Sequence, residues 1–388
     1  VRQVLHLFAN HKITGPAELA LEVARAQQTL GLPVRFVSAN PRQTRYREAW
    51  LQQLARERGL AESVIPGLRL PKHIGPLRSF LDVRALAAHL REGEVDIVHC
   101  HLAGDHYVAR LAVQRSGRRI PLVRSIYDGE LLPPTGRRKA AFASAELLVC
   151  HSQAVAKGLE ERASDYGVDP ARIRFLEPPI DTVRFDPERE LPSRRELLGV
   201  PEDAICFGIV ARMQRHRRFE VLLEAFRQAQ AADPRLHLVI VGRGTHQEEV
   251  ARQPVRDLGL ESSVHFAGYV SGEDYVATLA SCDAKVFMFP GSDGTCRAVR
   301  EALAIGLPAV VTARGILPEL VRHELDGLVI PCDVPEEADQ LRDAFLRIAR
   351  DPEARARMSQ AARAGAVERF AYPALAERFQ ALYQGLVS

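Results

Sequence analysis

Residues 289–331 read FPGSDGTCRAVREALAIGLPAVVTARGILPELVRHELDGLVIP. The stretch parses as loop, helix, strand, loop, short helix and strand. A Gly-rich loop, Pro290–Gly294, follows the apolar run Ala284–Phe289. A helix is expected from near Thr295, where a hydroxyl can cap free backbone N–H groups. A helix start of this kind favours a bound anion such as phosphate. Two carboxylates flank the turn, Asp293 in the loop and Glu301 on the helix. Ala298, Val299, Ala302, Leu303 and Ile305 share one helical arc, and Glu301 borders it. A carboxylate so placed is expected to be partly buried and to need a hydrogen-bond donor, and a sugar hydroxyl is one. Gly306 and Pro308 end the helix. Pro308–Thr312 reads as a buried strand, and Arg314-Gly315 leads into a short helix carrying Glu319.

The same alternation of strand and helix runs through the rest of the chain, as in an α/β protein. Val1–Phe8 is expected to be a strand. The loop Ala9–Pro16 follows it, with Gly15 just before the amphipathic helix Ala17–Leu30. Strand, Gly loop and helix begin a Rossmann-like unit. Pro41–Leu60 is expected to be helical and carries Arg42, Arg45, Arg47, Arg56 and Arg58. Leu68–Arg84 is basic and loop-like at first, with Arg69, Lys72, His73 and Arg78. Val95–Leu102 (VDIVHCHL) is a strand that places His99 and His101 on one face. No further ligands at metal-site spacing accompany that pair. Strands are also expected at Ile120–Asp128, Glu146–His151, Arg172–Leu176, Ala204–Arg212, Arg235–Gly244, Val264–Val270 and Asp283–Phe289. Ser152 is a good cap for the helix after it. Gly242-Arg243-Gly244 is not GxGxxG and does not imply a dinucleotide. Glu336–Phe370 is expected to be largely helical, and Ala374–Leu386 forms a last amphipathic helix.

The stretch 289–331 resembles the nucleotide-sugar site of retaining glycosyltransferases of family four. The family pattern is two acids with seven residues between, a helix ending Gly-x-Pro, then Gly-Gly-x-Pro-Glu. Here the acids are Asp293, where Glu is usual, and Glu301. Gly306-Leu307-Pro308 and Gly315-Ile316-Leu317-Pro318-Glu319 follow, with Ile316 in place of the second Gly. The resemblance implies a GT-B fold: two Rossmann-like domains facing an inter-domain cleft, at residues 1–179 for the acceptor and 180–371 for the nucleotide-sugar. It also implies a helix, 372–388, crossing back to the first domain. Asp293 and the groups after it, Gly294, Thr295 and Cys296, would face sugar and phosphates, and Glu301 the ribose. Gly15 would approach the donor phosphates.

Between Ala204–Arg212 and the next helix lies a very basic loop: Arg212, Arg215, His216, Arg217 and Arg218. Arg212 and Arg217 fall on the family's two basic positions, while Arg218 replaces a Gly. Two such cations would stabilise the leaving diphosphate, so no metal and no cofactor is required. Tyr127 stands where many members have a catalytically important His. Lys12, His101, Arg124 and Asp128 are candidates for the acceptor side. The linker EPPIDTVRF, Glu177–Phe185, keeps Ile180-Asp181 and Arg184-Phe185 but has Pro178-Pro179 for the usual Asn-Gly.

A chain of 388 residues exceeds what one core organises, so two domains are expected. No apolar run approaches the roughly 20 residues of a spanning helix. Val1–Ala9 is too short and interrupted for a secretory signal. Six cysteines without CxxC spacing are expected to be buried free thiols in a reducing cytoplasm, Cys296 included. The net charge of +3 divides unevenly: residues 1–180 hold 26 Lys and Arg against 18 Asp and Glu, the remainder 26 against 31. The basic first half points to an acidic partner, either an anionic membrane surface or a phosphorylated acceptor. No nucleic-acid module is present. The expectation is therefore a cytoplasmic retaining hexosyltransferase, peripheral on the inner membrane face. Its donor would be a UDP-sugar or GDP-mannose, and its acceptor a saccharide or lipid-linked molecule, as in polysaccharide or lipopolysaccharide synthesis. Two alternatives share the fold: a nucleotide-sugar 2-epimerase, and a non-catalytic nucleotide-sugar-binding relative.

Overall fold

A computed structural model of the chain describes residues 1–39, 50–60, 64–70, 76–127, 131–290 and 296–387. The chain divides into two compact units. The first comprises Val1–Pro179 with Arg369–Ser388, and the second Ile180–Gly291 with Cys296–Glu368.

The first unit holds β1 (Val4–Phe8), β2 (Val34–Ser38), β3 (Ile97–Cys100), β4 (Leu122–Ile126), β5 (Leu147–Cys150) and β6 (Ile173–Phe175). They form one sheet in the order β2-β1-β3-β4-β5-β6, with every pairing parallel. The second unit holds β7 (Ile205–Val210), β8 (Leu236–Val241), β9 (Val264–Gly268), β10 (Ala284–Phe287), β11 (Ala309–Thr312) and β12 (Gly327–Ile330). Their order is β12-β11-β10-β7-β8-β9, again all parallel. Parallel strands need covered crossovers, so these strands read as continuous apolar runs and not as alternations. VLHLF and LHLVIV are buried along their whole length.

Strand order fixes where a ligand can sit. In an open parallel sheet the connections leave to opposite faces at one point, and a crevice opens there beyond the strands' carboxyl ends. In the second unit that point lies between β7 and β10. The loops after these strands are the basic loop 211–218 and the loop that opens the stretch 289–331. In the first unit it lies between β1 and β3, which brings the Gly15 loop beside His101.

Most expected elements are present within a few residues. Ser152 Oγ caps the helix Gln153–Glu161 by accepting from the Val155 amide at 3.3 Å. Thr14 caps the helix Gly15–Thr29 in the same way. Tyr372-Pro373 opens the last helix, Tyr372–Val387, because a proline in the first turn removes no needed N–H. That helix packs on Gly15–Thr29 within the first unit. Five cysteines are buried free thiols, and Cys332 is half-buried. Among the described residues no helix is long and apolar enough to cross a membrane.

Candidate functional site

The basic loop owes its course to a pair of glycines. A Cβ on Gly242 would come within 2.3 Å of the Ala211 carbonyl oxygen, and one on Gly244 within 2.1 Å of that of Met213. The Gly-x-Gly after β8 therefore serves close backbone packing. It sets the backbone on both sides of Arg212, whose side chain is exposed and unpaired among the described residues. Arg217 is half-buried, and its Nη1 donates to the Phe289 carbonyl at 2.8 Å. That bond ties the loop after β7 to the end of the segment after β10, across the switch point. Arg218 takes a left-handed conformation at φ 58°, the geometry for which Gly is usual. Its guanidinium reaches Glu220 at 2.7 Å and Asp333 at 3.4 Å, and those contacts offset the backbone cost.

The helix after the Gly-rich loop spans Arg297–Ala304, two residues later than the sequence led us to expect. Its N-cap is Cys296, buried, with φ 46° and no side-chain cap bond. Glu301 is 3% exposed. It finds an internal donor: the Tyr275 hydroxyl bonds its Oε2 at 2.5 Å, and Arg297 Nε lies 3.4 Å from its Oε1. On β10, Lys285 is fully buried, and its Nζ has no hydrogen-bond partner among the described residues. Burial pushes this lysine down to about 7, while the charges of Cys282 and Glu301 act in the opposite direction. Asp293, Gly294 and Thr295 lie outside the described residues, as do Asp128, Arg42, Arg45, Arg47, Lys72 and His73.

In the first unit the structure finds a third imidazole. Pairing of β1 with β3 sets His6 opposite His99, so ring nitrogens of His6, His99 and His101 all lie within 4.8 Å of one another. The sequence expectation of no further ligand near His99 and His101 is corrected by this pairing, because His6 is far away along the chain. These nitrogens belong to a continuous hydrogen-bonded chain. The Leu176 carbonyl can only accept, so a neutral His151 donates through Nδ1 at 2.9 Å and accepts at Nε2 from Ser125. Ser125 Oγ then accepts from His99 Nε2 at 2.9 Å, and His99 Nδ1 accepts from the Tyr383 hydroxyl at 2.7 Å. Gln27 donates to Tyr383 at 3.0 Å and accepts from His6 Nε2 at 2.9 Å. His6 Nδ1 accepts from His101 Nε2 at 2.9 Å, and His101 Nδ1 accepts from the Tyr127 hydroxyl.

Each ring nitrogen thus has a partner, and one tautomer per ring satisfies them all. Desolvation keeps the rings neutral, lowering His6 to about 4 and holding His99 and His101 well below the ordinary value. Tyr127 and His101 are buried, and burial also pushes the Tyr127 phenol well up. Their polar atoms are spent inside the first unit. Arg124 Nη1 stands 3.6 Å from Asp105. The Asp105 carboxylate accepts from the amides of Ala9, His101 and Leu102, tying the loops after β1 and β3, and its burial raises it to about 7. Lys12 is exposed, and Gly15 is the first residue of its helix.

Ser125→Ala removes two buried hydrogen bonds, those of Ser125 Oγ with His99 Nε2 and with His151 Nε2. A loss of about 1–3 kcal/mol is expected, at about 0.5–1.5 for each bond. Urea unfolding followed by far-ultraviolet circular dichroism measures the loss. An unchanged midpoint would mean that the chain of bonds contributes nothing to folding.

Comparison with known proteins gives a consistent family. The model for glycosyl transferases group 1 matches residues 192–365, and the model for glycosyltransferase family 4 matches residues 13–184. A D-inositol 3-phosphate glycosyltransferase of Saccharomonospora viridis is 29% identical over 303 residues, 72% of this chain and 68% of that protein. Another, from Nocardioides sp., is 30% identical over 288 residues, 65% of this chain and 61% of that protein. The matched region therefore spans about two thirds of these relatives. Among solved structures, Anabaena HepE in complex with UDP and glucose superposes with a TM-score of 0.75 at 18% identity, covering 99% of this chain and 100% of that one. A glycosyltransferase from Rickettsia africae gives 0.79 at 17% identity, covering 100% and 98%. These likenesses show the fold. With one model on each half, the chain belongs to the group 1 glycosyl transferases of family 4, and its two six-stranded units have the GT-B fold.

Proposed function

We infer that this chain transfers a hexose from a nucleotide-sugar to a saccharide or lipid-linked acceptor, with retention at the anomeric carbon, in cell-envelope polysaccharide synthesis. The observation that carries the reading is the switch point of the second unit. Arg217 is anchored to the Phe289 carbonyl there, on the loop that also carries Arg212, which is unpaired among the described residues, and the buried Glu301 stands on the helix after β10. Two arginines supply the charge that a leaving diphosphate needs, and an Arg can grip phosphate through two N–H groups. The reaction so read needs no metal. Glu301 takes the ribose hydroxyls by exchanging its Tyr275 donor for a ligand donor.

HepE has been solved with UDP and with UDP-glucose, which favours a uridine donor. WaaB is a lipopolysaccharide outer core galactosyltransferase, which favours an envelope acceptor. The enzyme works in the cytoplasm at the inner membrane face, to which its basic first half is drawn. A 2-epimerase would need an acid and a base that titrate near neutrality. The Tyr127 phenol is pushed up by burial and hydrogen-bonded to His101, which counts against that alternative.

A thermal-shift panel tests the donor site: UDP, GDP, ADP and dTDP, then UDP-glucose, UDP-GlcNAc and GDP-mannose. A ligand of the folded state stabilises it by about 2.7 kcal/mol at a hundredfold excess over Kd. One base should shift the protein selectively. Glu301→Ala, checked for folding by circular dichroism, should abolish that shift. No shift from any nucleotide would overturn the donor site and leave a relative that binds no donor.

A further inference from the structure

We propose that the paired helices Pro76–Arg91 and Ala103–Ser116 of the first unit form a surface that seats on an anionic phospholipid bilayer. The inference deepens the membrane-facing part of the proposed function and rests on it. The helices pack on each other and turn their outer faces to solvent. Leu77 is 75% exposed, Phe80 50%, Leu81 44% and Tyr107 41%. Positions 77, 80 and 81 are neighbours on one helix face. Phe80 and Tyr107 line one open crevice of about 480 Å³, with Val83, Leu111 and Arg115. Large apolar side chains gathered at one exposed place mark an interaction site, whereas scattered ones do not.

The exposed charged side chains described on the two helices are arginines. Arg84, Arg91 and Arg115 are exposed, and Arg110 is half-buried. Arg115 lies over the Phe80 ring at 5.5 Å to its centroid, and Arg110 over the Tyr107 ring at 6.0 Å. The two carboxylates of these helices are turned inward. Asp82 is buried and accepts from the Arg69 amide at 2.9 Å. Asp105 is buried on the amides of the loops after β1 and β3. The outer face therefore offers aromatic and aliphatic groups ringed by arginine, with no carboxylate from either helix.

That combination selects its partner. Leu77 and Leu81 gain nothing against a nucleic-acid backbone, and a ring of arginine is costly against an apolar protein face. At an anionic bilayer the arginines meet lipid phosphates, while Leu77, Phe80, Leu81 and Tyr107 enter the zone beneath them. No described helix is of the length and apolarity to span a bilayer, so attachment through these helices is peripheral. A lipid-borne acceptor would then be met at the surface where it resides.

Co-sedimentation with vesicles of phosphatidylcholine, with and without phosphatidylglycerol, tests the surface in the full chain. Wild type should bind only the vesicles containing phosphatidylglycerol, and less as salt rises. Each arginine near the surface contributes about fivefold, so Arg84→Gln with Arg115→Gln should weaken binding about 25-fold. Leu77→Ser with Phe80→Ser should remove the binding that persists at high salt. Both double variants change exposed residues and should keep the nucleotide thermal shift. Equal binding to both vesicle types, or variants that bind as wild type, would overturn the proposal. So would a dimer in sedimentation that Leu77→Ser with Phe80→Ser dissolves, since the face would then belong to a second copy. A lost nucleotide shift in wild type would sink the donor site and leave the vesicle result standing.

Discussion

Arg217→Ala lowers kcat by about 100-fold or more. The argument starts from what holds the side chain. Its Nη1 is spent on the Phe289 carbonyl at 2.8 Å, so the guanidinium is oriented before any ligand arrives. A cation positioned in advance pays no reorganisation when charge develops on the leaving phosphate, and loss of one such contact costs about 100- to 1,000-fold. The loss should fall on kcat, because the leaving group gains charge mainly in the transition state. Arg217→Lys keeps the charge without the fork that reaches both carbonyl and phosphate, so it should fall between the two. Steady-state donor consumption in the presence of acceptor measures both variants. Turnover near wild type for Arg217→Ala would remove this residue from the mechanism.

The second large effect is on stability. Lys285 is fully buried on β10, its Nζ makes no hydrogen bond among the described residues, and burial lowers its ordinary value of 10.5 to about 7. Between those two pH values the unfolded chain holds a proton that the folded chain has lost. Unfolding therefore takes up a proton, and stability rises with pH across the window. Below it both states are charged and the full penalty remains. A shift of this size corresponds to about 4–5 kcal/mol at about 1.4 kcal/mol for each pKa unit. Lys285→Met keeps the length of the side chain and removes the charge. It is expected to stabilise the protein near neutral pH by about 3–5 kcal/mol and to flatten the rise toward alkaline pH. Urea unfolding followed by far-ultraviolet circular dichroism at several pH values is the measurement. A stability independent of pH in wild type would mean that the lysine keeps its proton through another contact.

Glu301 shows how far periodicity alone reaches. Its position beside the apolar arc Ala298–Ile305 told that the carboxylate would be shielded and would need a donor. The structure agrees on burial. It adds that the donor at rest is Tyr275, from the helix Gly272–Ala280, and that the charge of Glu301 acts on Lys285. Neither follows from helical periodicity, which ranks positions around one helix and is silent about what the sheet brings alongside. The start of that helix was misjudged for a related reason. Thr295 is the better capping residue by type, but Cys296 takes the N-cap, with φ 46° and no side-chain cap bond.

His6 makes the same point in the first unit. His-x-His within VDIVHCHL was legible as a strand that sets both rings on one face. The third ring belongs to β1, and only the β1–β3 pairing makes them neighbours. Tyr383 and Gln27, which complete the bonds, come from two further helices. The Gly-x-Gly after β8 was visible as a pattern, but its purpose, room for the Ala211 and Met213 carbonyls, appears only when the loops meet.

By itself the sequence determined the succession of strands and helices, the parallel α/β class, the family, and the two loops that carry cations and carboxylates. Those properties depend on neighbours a few residues apart, where turn chemistry and periodicity act. Tertiary structure decided which loops adjoin at the switch point, which donors hold Glu301 and Arg217, and which charges are buried without partners. Those outcomes depend on strand order and register, which bring distant residues together and which no local pattern encodes.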